Sequence, residues 1–213
     1  IPEIKLVNIN LLDNLPQINL PNEDLAFAIK RFDRSNNKRI HMEDFAQVLV
    51  KYPHQKYDSV NYQQIANVIY NYSGNGLADL QQFARRLLVN ILLANGEAHL
   101  KNWSLLYSNQ ITPRLSPAYD ILATSVYFDN ESTLALNLAK TKNWFDINYE
   151  SFEYFTIKSG APWRAIKPHL DDVMNKARKY WPQALKEMPM IDKHQQKLKE
   201  HWQNIHPDFQ IKT

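Results

Sequence analysis

Glu97, His99, Lys101 and Asn102 lie together in NGEAHLKNW, residues 95–103, and Asp120 follows in RLSPAYDIL, residues 114–122. A carboxylate that can orient or deprotonate a hydroxyl, followed by an amide and a second carboxylate that can hold Mg²⁺, is what phosphoryl transfer asks of a protein. That reaction needs positioning and charge neutralisation more than covalent help. Glu97 and Asn102 are five residues apart. A turn after a helix places both on one loop, and a hairpin over residues 103–115 can return Asp120 beside Asn102. Glu97 is then the candidate base, Asn102 and Asp120 the candidate metal ligands, Lys101 a charge for the transferred phosphate, and His99 a group that orients the loop. The same residues also admit plainer roles: a helix stop at Asn95-Gly96, a packing histidine, a solvated lysine, and an Asp120 that complements a helix dipole. Spacing alone leaves both open.

The elements that must position these groups are legible as hydrophobic periodicity. Leu77, Leu80, Phe83, Ala84, Leu87, Leu88, Ile91 and Leu92 give the widest apolar helical face in the chain, running into Asn95-Gly96. Tyr62, Ile65, Ala66, Ile69 and Tyr70 predict an amphipathic helix before it, stopped by residues 73–76. Met42, Phe45, Ala46, Leu49 and Val50 predict another from Ile40 onward. After the candidate loop, Trp103, Leu105 and Tyr107 alternate, residues 108–110 turn and residues 111–115 run back as a hairpin. Ser116 and Pro117 predict a helix start. Residues 133–138 alternate as a short strand. Residues 148–206 read as mostly helical: a segment leading into Gly160, a long helix over 164–186 with a bend or break at Trp181-Pro182, and a basic amphipathic helix over 191–205 whose Lys193, Lys197 and Lys199 form a solvated face. At the start, residues 4–8 and 25–32 read as strands around a polar, proline-marked loop over 14–23, with RFDRS at 31–35 as a charged hairpin exit or a hinge.

Bulk properties exclude several classes. With 44% hydrophobic and 22% charged residues, the 213-residue chain has the composition of a globular protein. A net charge of +3, spread along the chain, does not predict direct nucleic-acid binding, and no apolar run is long enough for a membrane span. With no cysteine there is neither a disulfide framework nor a thiolate metal site, which fits a reducing, cytoplasmic setting.

EAHLKNWSLL (residues 97–106) and LSPAYDIL (residues 115–122) resemble the signature of the HipA family of bacterial serine/threonine kinase toxins. In that family an acid-x-His-x-Lys-Asn loop precedes a hairpin and an L-x-P-x-Y-D segment follows. RFDR (residues 31–34) and HMEDFAQVL (residues 41–49) resemble its hinge strand and the helix after it. The similarity runs over nearly the whole chain. It implies an α+β, mostly helical fold: residues 35–213 as a kinase-like C-terminal lobe, and residues 1–34 as partial N-lobe strands and hinge. It places Glu97 at the catalytic base, Asn102 and Asp120 on Mg²⁺, His99 and Lys101 at the loop and phosphate site, and Lys30 and Phe32 on the hinge beside the adenine of ATP. The partners it implies are a DNA-binding antitoxin and a protein substrate, an aminoacyl-tRNA synthetase, whose phosphorylation slows translation in the bacterial cytoplasm and produces growth arrest or persistence.

Two departures qualify the match. The acid is Glu97 where the commonest family version has Asp, and one methylene displaces the carboxylate by about 1 Å, a shift worth roughly 100-fold in rate where positioning is tight. The four glycines, Gly74, Gly76, Gly96 and Gly160, form no phosphate-covering loop, and Lys5 is a poor nucleotide-strand lysine. The opening Ile1 and the missing loop together predict the C-terminal two-thirds of such a kinase, weak in ATP binding and in transfer without the missing N-terminal segment. The alternatives are a non-catalytic module that docks an antitoxin or substrate, and a small-molecule phosphotransferase built on the same acid–Asn–Asp logic.

Overall fold

A computed structural model describes residues 2–15, 24–35, 38–57, 60–128 and 131–212. β1 (Ile4–Asn8) and β2 (Leu25–Ile29) form an antiparallel pair with Ile4 opposite Ile29 and Leu6 opposite Phe27. The predicted loop between them falls partly outside the described residues. β2 stops at Ile29, short of the expected Phe32, because the chain turns around Asp33. Arg31 and Arg34 both donate to the buried Asp33 carboxylate, Arg31 at 2.6 Å, and hold it down to about 2 against the opposing effect of burial. The residues that follow pair as β3 (Arg34–Ser35) and β4 (Lys38–Arg39), so RFDRS is a hairpin entry.

The helix expected from Ile40 is instead β5 (His41–Asp44) followed by one turn, α1 (Phe45–Val48). Residues 41–44 have a strand partner in residues 104–107, which satisfies their backbone more completely than an isolated helix start. Asp44 and Gln47 close a capping box, and Val50, at φ 52° and largely exposed, ends the turn while the Lys51 amide bonds back to the Ala46 carbonyl. α2 (Tyr62–Tyr72), capped by Asn61, and α3 (Gly76–Leu92), capped by Asn75, lie where the periodicity put them.

The hairpin after α3 is β6 (Ser104–Tyr107) and β7 (Arg114–Leu115), with β5 added as a third strand in the order β5-β6-β7. No helix begins at Pro117. The Ser116 amide extends the sheet by bonding the Ser104 carbonyl, the Ser116 hydroxyl bonds the Pro117 carbonyl instead of capping, and the Ser116 carbonyl accepts from Arg86. The chain stays irregular to a short 3₁₀ turn at Thr124–Val126. β8 (Thr133–Leu138) pairs with β9 (Thr141–Asn143). α4 (Tyr149–Ser159) ends in a left-handed Gly160 at φ 83°.

α5 (Trp163–Glu187) runs unbroken through Pro168 and Pro182. The expected break at Trp181-Pro182 is absent because Ala177 and Leu185 are buried on either side of it and Trp181 packs on Trp202 at 6.0 Å. α6 (Asp192–Asn204) has lysines toward solvent, but Leu198, His201 and Trp202 form a buried stripe, and Lys197 donates to the Val126 carbonyl. Among the described residues no helix is long and apolar enough to cross a membrane.

α3 is the axis of the core. Leu80, Phe83, Ala84, Leu87, Leu88, Ile91 and Leu92 are all fully buried. Burial of each such side chain stabilises by about 1.5–3 kcal/mol before chain entropy is counted. α2 and α5 pack on it, and α6 caps its end, with His201 Nε2 at 2.7 Å from the Ile91 carbonyl and the Trp202 indole donating to the Leu92 carbonyl at 2.8 Å. Burial holds the His201 imidazole at about 4, despite the Ile91 carbonyl favouring the protonated form. The folded pKa lies below the unfolded one, so this group leaves stability untouched above about pH 6.5 and erodes it as pH falls from about 6.5 toward 4. Urea denaturation at pH 7.5 and pH 5.0 checks this. His201→Gln, which can still donate to the Ile91 carbonyl, is expected to remove about 2 kcal/mol of the wild-type loss between the two pH values.

Candidate active site

The site begins where α3 stops. Ala94 takes the left-handed conformation, at φ 53°, and is fully buried. The reversal therefore falls on Ala94, while Gly96 is needed for a different reason. A Cβ on Gly96 would lie 2.2 Å from Glu131 Oε1, so the Glu131 carboxylate packs directly over the loop backbone. Thr124 links the two: its hydroxyl accepts the Gly96 N–H at 2.8 Å and reaches Glu131 Oε2 at 2.8 Å. Burial, with the Glu97 charge adding, pushes the Glu131 carboxyl up, against the hydrogen bond from Thr124.

Asn95 is completely buried and fully used. Its amide nitrogen donates to Asn90 Oδ1 at 2.6 Å and to the Asp120 carbonyl at 3.3 Å, and its oxygen accepts the Glu97 N–H at 3.1 Å. One side chain thus joins α3 to the backbone of both candidate carboxylates. The Glu97 carboxylate accepts a hydrogen bond from the Tyr57 hydroxyl at 2.8 Å and lies 3.7 Å from His99 Nε2. That nitrogen faces Lys56 Nζ at 3.0 Å, which makes it the acceptor and puts the proton on Nδ1. His99 Nδ1 is buried with no partner among the described residues. Burial, then the Lys56 charge, lower the His99 pKa, so the ring is neutral near pH 7.

Asp120 comes back through the sheet. The buried Asp79 near the start of α3 takes Arg114 bidentately, at 2.8 and 2.9 Å, and also accepts from Ser73 and the Leu115 amide. Burial alone would raise the Asp79 pKa, but these donors together lower it. β7 is thereby pinned to α3. Four residues beyond Leu115, the Tyr119 hydroxyl donates to the Lys101 carbonyl at 2.9 Å and contacts Ser104 Oγ, while its ring meets Phe32 at 5.8 Å. Asp120 then adopts a left-handed backbone at φ 56°, which Asp tolerates better than most residues. Its carboxylate accepts from Asn102 Nδ2 at 2.6 Å. Arg86, Asn90, Asn102, Ser116, Tyr119 and Asp120 line a small cleft behind this pair. Burial lowers the Arg86 guanidinium to about 10, against the favourable charge of Asp79, and leaves it protonated at neutral pH.

Glu97, His99, Asn102 and Asp120 are therefore brought to one loop cluster, and Phe32 reaches it through Tyr119. Lys101 is exposed and enters through its carbonyl. Lys30 pairs with Glu3 at 3.0 Å on the β1–β2 hairpin, outside the cluster's hydrogen bonds. No three His, Asp or Glu side chains converge on a metal-sized site among the described residues. A cation here would rest on Asn102, Asp120 and oxygens of its own ligand, a donor set that suits Mg²⁺, which commonly takes one or two protein carboxylates plus phosphate oxygens. Lys56, Tyr57, Asn90, Thr124 and Glu131 had no sequence signal of function, whereas Asn95, read as a helix stop, and Tyr119, the tyrosine of the L-x-P-x-Y-D segment, lay within the stretches singled out without an assigned role.

A mostly helical lobe with small antiparallel sheets and an acid–Asn–Asp loop cluster at the end of its central helix is a kinase-like C-terminal lobe. The model of the HipA-like C-terminal domain matches residues 2–181, and the chain belongs to that family. A relative from Sinorhizobium fredii (strain NBRC 101917 / NGR234), named "Putative kinase Y4dM", is 37% identical over 193 residues, covering 91% of this chain and 47% of its own length. Among solved structures, HipA of the Shewanella oneidensis MR-1 toxin–antitoxin complex with HipB and operator DNA shares the fold at TM-score 0.75 and 18% identity, over 96% of this chain and 51% of that one. The Helicobacter pylori proinflammatory kinase CtkA matches at TM-score 0.52 and 18% identity, over 85% of this chain and 73% of that one. The chain thus spans about half the length of the curated relative and of HipA.

Asn95 gives the sharpest structural test. Asn95→Ala strips the Glu97 amide and Asn90 Oδ1 of partners in a buried setting, at about 1–3 kcal/mol for each group left unsatisfied. Chemical denaturation is expected to show a loss of about 2–4 kcal/mol. Asn95→Asp, which keeps the acceptor for the Glu97 amide but sets a buried carboxylate oxygen against Asn90 Oδ1 and the Asp120 carbonyl, is expected to lose at least as much.

Proposed function

We propose that this chain carries the catalytic loop of an ATP- and Mg²⁺-dependent protein serine/threonine kinase of the HipA type. The observation that carries the reading is the Asn102–Asp120 hydrogen bond, closed at 2.6 Å across eighteen residues, in the same loop cluster as a tethered Glu97 carboxylate. Glu97 orients the acceptor hydroxyl and takes its proton as the oxygen attacks the γ-phosphorus of ATP and ADP leaves. Asn102 and Asp120 would hold the metal. Mg²⁺, when bound, neutralises charge on the β- and γ-phosphates. His99, neutral and fixed by Lys56, keeps the loop in register, and Lys101 offers an exposed cation to the phosphates. Lys30 and Phe32 are the proposed adenine-side residues, with Phe32 seated on Tyr119.

The acceptor is a hydroxyl on a protein, with an aminoacyl-tRNA synthetase as the candidate and slowed translation, growth arrest or persistence as the outcome. The solved HipA complex contains HipB, which supports an antitoxin as partner for the protein carrying this chain. A cytoplasmic setting follows from such a substrate.

The test is transfer of labelled phosphate from ATP to a panel of synthetases by the protein that carries this chain, together with growth arrest on induced expression. Glu97→Gln and Asp120→Asn are each expected to lower transfer by about 100-fold or more and to relieve the arrest, with melting temperature little changed. Transfer that survives Asp120→Asn at the wild-type rate overturns the reading. Antitoxin binding without any transfer by the wild type would leave a docking module in its place.

A further inference from the structure

We infer that Lys56 and Tyr57 form a positioning clamp for the candidate catalytic loop, Tyr57 acting through Glu97 and Lys56 through His99. The inference rests on the kinase reading for what the clamp serves, but not for its existence. Two consecutive residues of the segment between α1 and α2 reach across forty or more positions of sequence to the two functional side chains of the loop. The Tyr57 hydroxyl donates to Glu97 Oε2 at 2.8 Å, and Lys56 Nζ meets His99 Nε2 at 3.0 Å. The Tyr57 ring stands edge-on to the His99 imidazole at 5.2 Å, and Lys56 Nζ lies 4.6 Å from the Tyr57 ring centre. The backbone joins in: the Leu100 amide points to the Lys56 carbonyl, and Lys142 on β9 donates to the Tyr57 carbonyl at 3.2 Å.

This arrangement does what a flexible acidic side chain needs. A Glu has three side-chain torsions, and a base is useful only when its carboxylate stays where the acceptor proton will be. Tyr57 takes one lone pair of Oε2, and among the described residues Oε1 keeps no hydrogen bond that would compete with an acceptor hydroxyl. Lys56 fixes the His99 ring, its tautomer included, because an ammonium can only donate. Lys56 donates to His99, and the neutral His99 ring in turn lies beside the Glu97 carboxylate, with Nε2 3.7 Å from Oε2, so the lysine charge acts on the base through the imidazole.

Two readouts test the clamp on the protein that carries this chain. In amide exchange, Tyr57→Phe and Lys56→Met are expected to speed exchange of the Glu97, His99 and Asn102 amides by about 10-fold or more relative to wild type, with the α3 amides unchanged. Equal protection of the loop in wild type and both variants overturns the inference whatever the activity. In kinetics, Tyr57→Phe is expected to lower kcat about 10-fold with KM for ATP unchanged, and to have no further effect in a Glu97→Gln background. A Tyr57→Phe loss of the same size in both backgrounds makes Tyr57 a general structural residue and overturns its role through Glu97. Absence of transfer by the wild type fails the kinase reading alone, and the exchange measurement still decides the clamp.

Discussion

The constraint on which the rest depends is that α3 ends inside the protein. A helix leaves its last carbonyls without intrahelical partners, and in a buried setting each must be satisfied or costs about 1–3 kcal/mol. Here the partners come from distant parts of the chain. His201 and Trp202 of α6 take the Ile91 and Leu92 carbonyls, while Thr124 and the Ser125 amide take the Ala94 carbonyl. The side-chain amides of Asn90 and Asn95 continue the network one step further. Capping a buried helix end therefore gathers the loop that carries Glu97, the segment after Asp120 and the last helix at one place. The candidate site is built on that solution, so the groups that close the helix end are neutral amides, a hydroxyl, an imidazole and an indole, and the Lys56 charge enters only through His99.

Around that neutral frame the charges are arranged by distance. Asp79 and Arg114 form their pair near the far end of α3, where it fixes the sheet and leaves the cluster's charge unchanged. At the near end, Glu97, Glu131 and Asp120 bring three carboxylates, of which Glu131 feels both burial and the Glu97 charge. Lys56 offsets part of this through His99, and the half-buried Arg86 lines the cleft. Among the described residues no lysine or arginine pairs with the exposed Asp120 carboxylate, which agrees with the proposal that Asn102 and Asp120 take the cation.

The sequence made α2, α3, the β6–β7 hairpin, β8 and the helical C-terminal third legible, because each carries its own periodicity and stop signals. It misled where a long-range partner overrode local pattern. Met42 and Phe45 sit at helical spacing, yet residues 41–44 gain a full strand partner in β6. Ser116-Pro117 has the form of a helix start, but Arg86 claims the Ser116 carbonyl, Ser104 the Ser116 amide, and the Ser116 hydroxyl turns to the Pro117 carbonyl instead of capping. Glu97, Asn102 and Asp120 could be grouped from spacing, since one loop and one hairpin separate them. Lys56, Tyr57 and Glu131 could not, because the contacts that matter cross from elements whose placement no local pattern encodes. Gly96 shows the same limit within a residue: its type signalled a turn, whereas its reason is the Glu131 carboxylate pressed against it.

The two ends of the cluster differ in stiffness, and the difference suits the chemistry. Glu97 is held through its amide by Asn95 and through its carboxylate by Tyr57. Asp120 has a fixed backbone, left-handed and bonded to Asn95, but its carboxylate takes one side-chain hydrogen bond, from Asn102. To offer Asn102 Oδ1 and the Asp120 carboxylate to a cation, that bond has to be given up. A half-exposed amide–carboxylate bond is worth about 1–2 kcal/mol, so little opposes the exchange. The end proposed for the base, where a displacement near 1 Å would be costly, is held at both amide and carboxylate. The end proposed for the metal is held by one side-chain hydrogen bond among the described residues and is free to adjust.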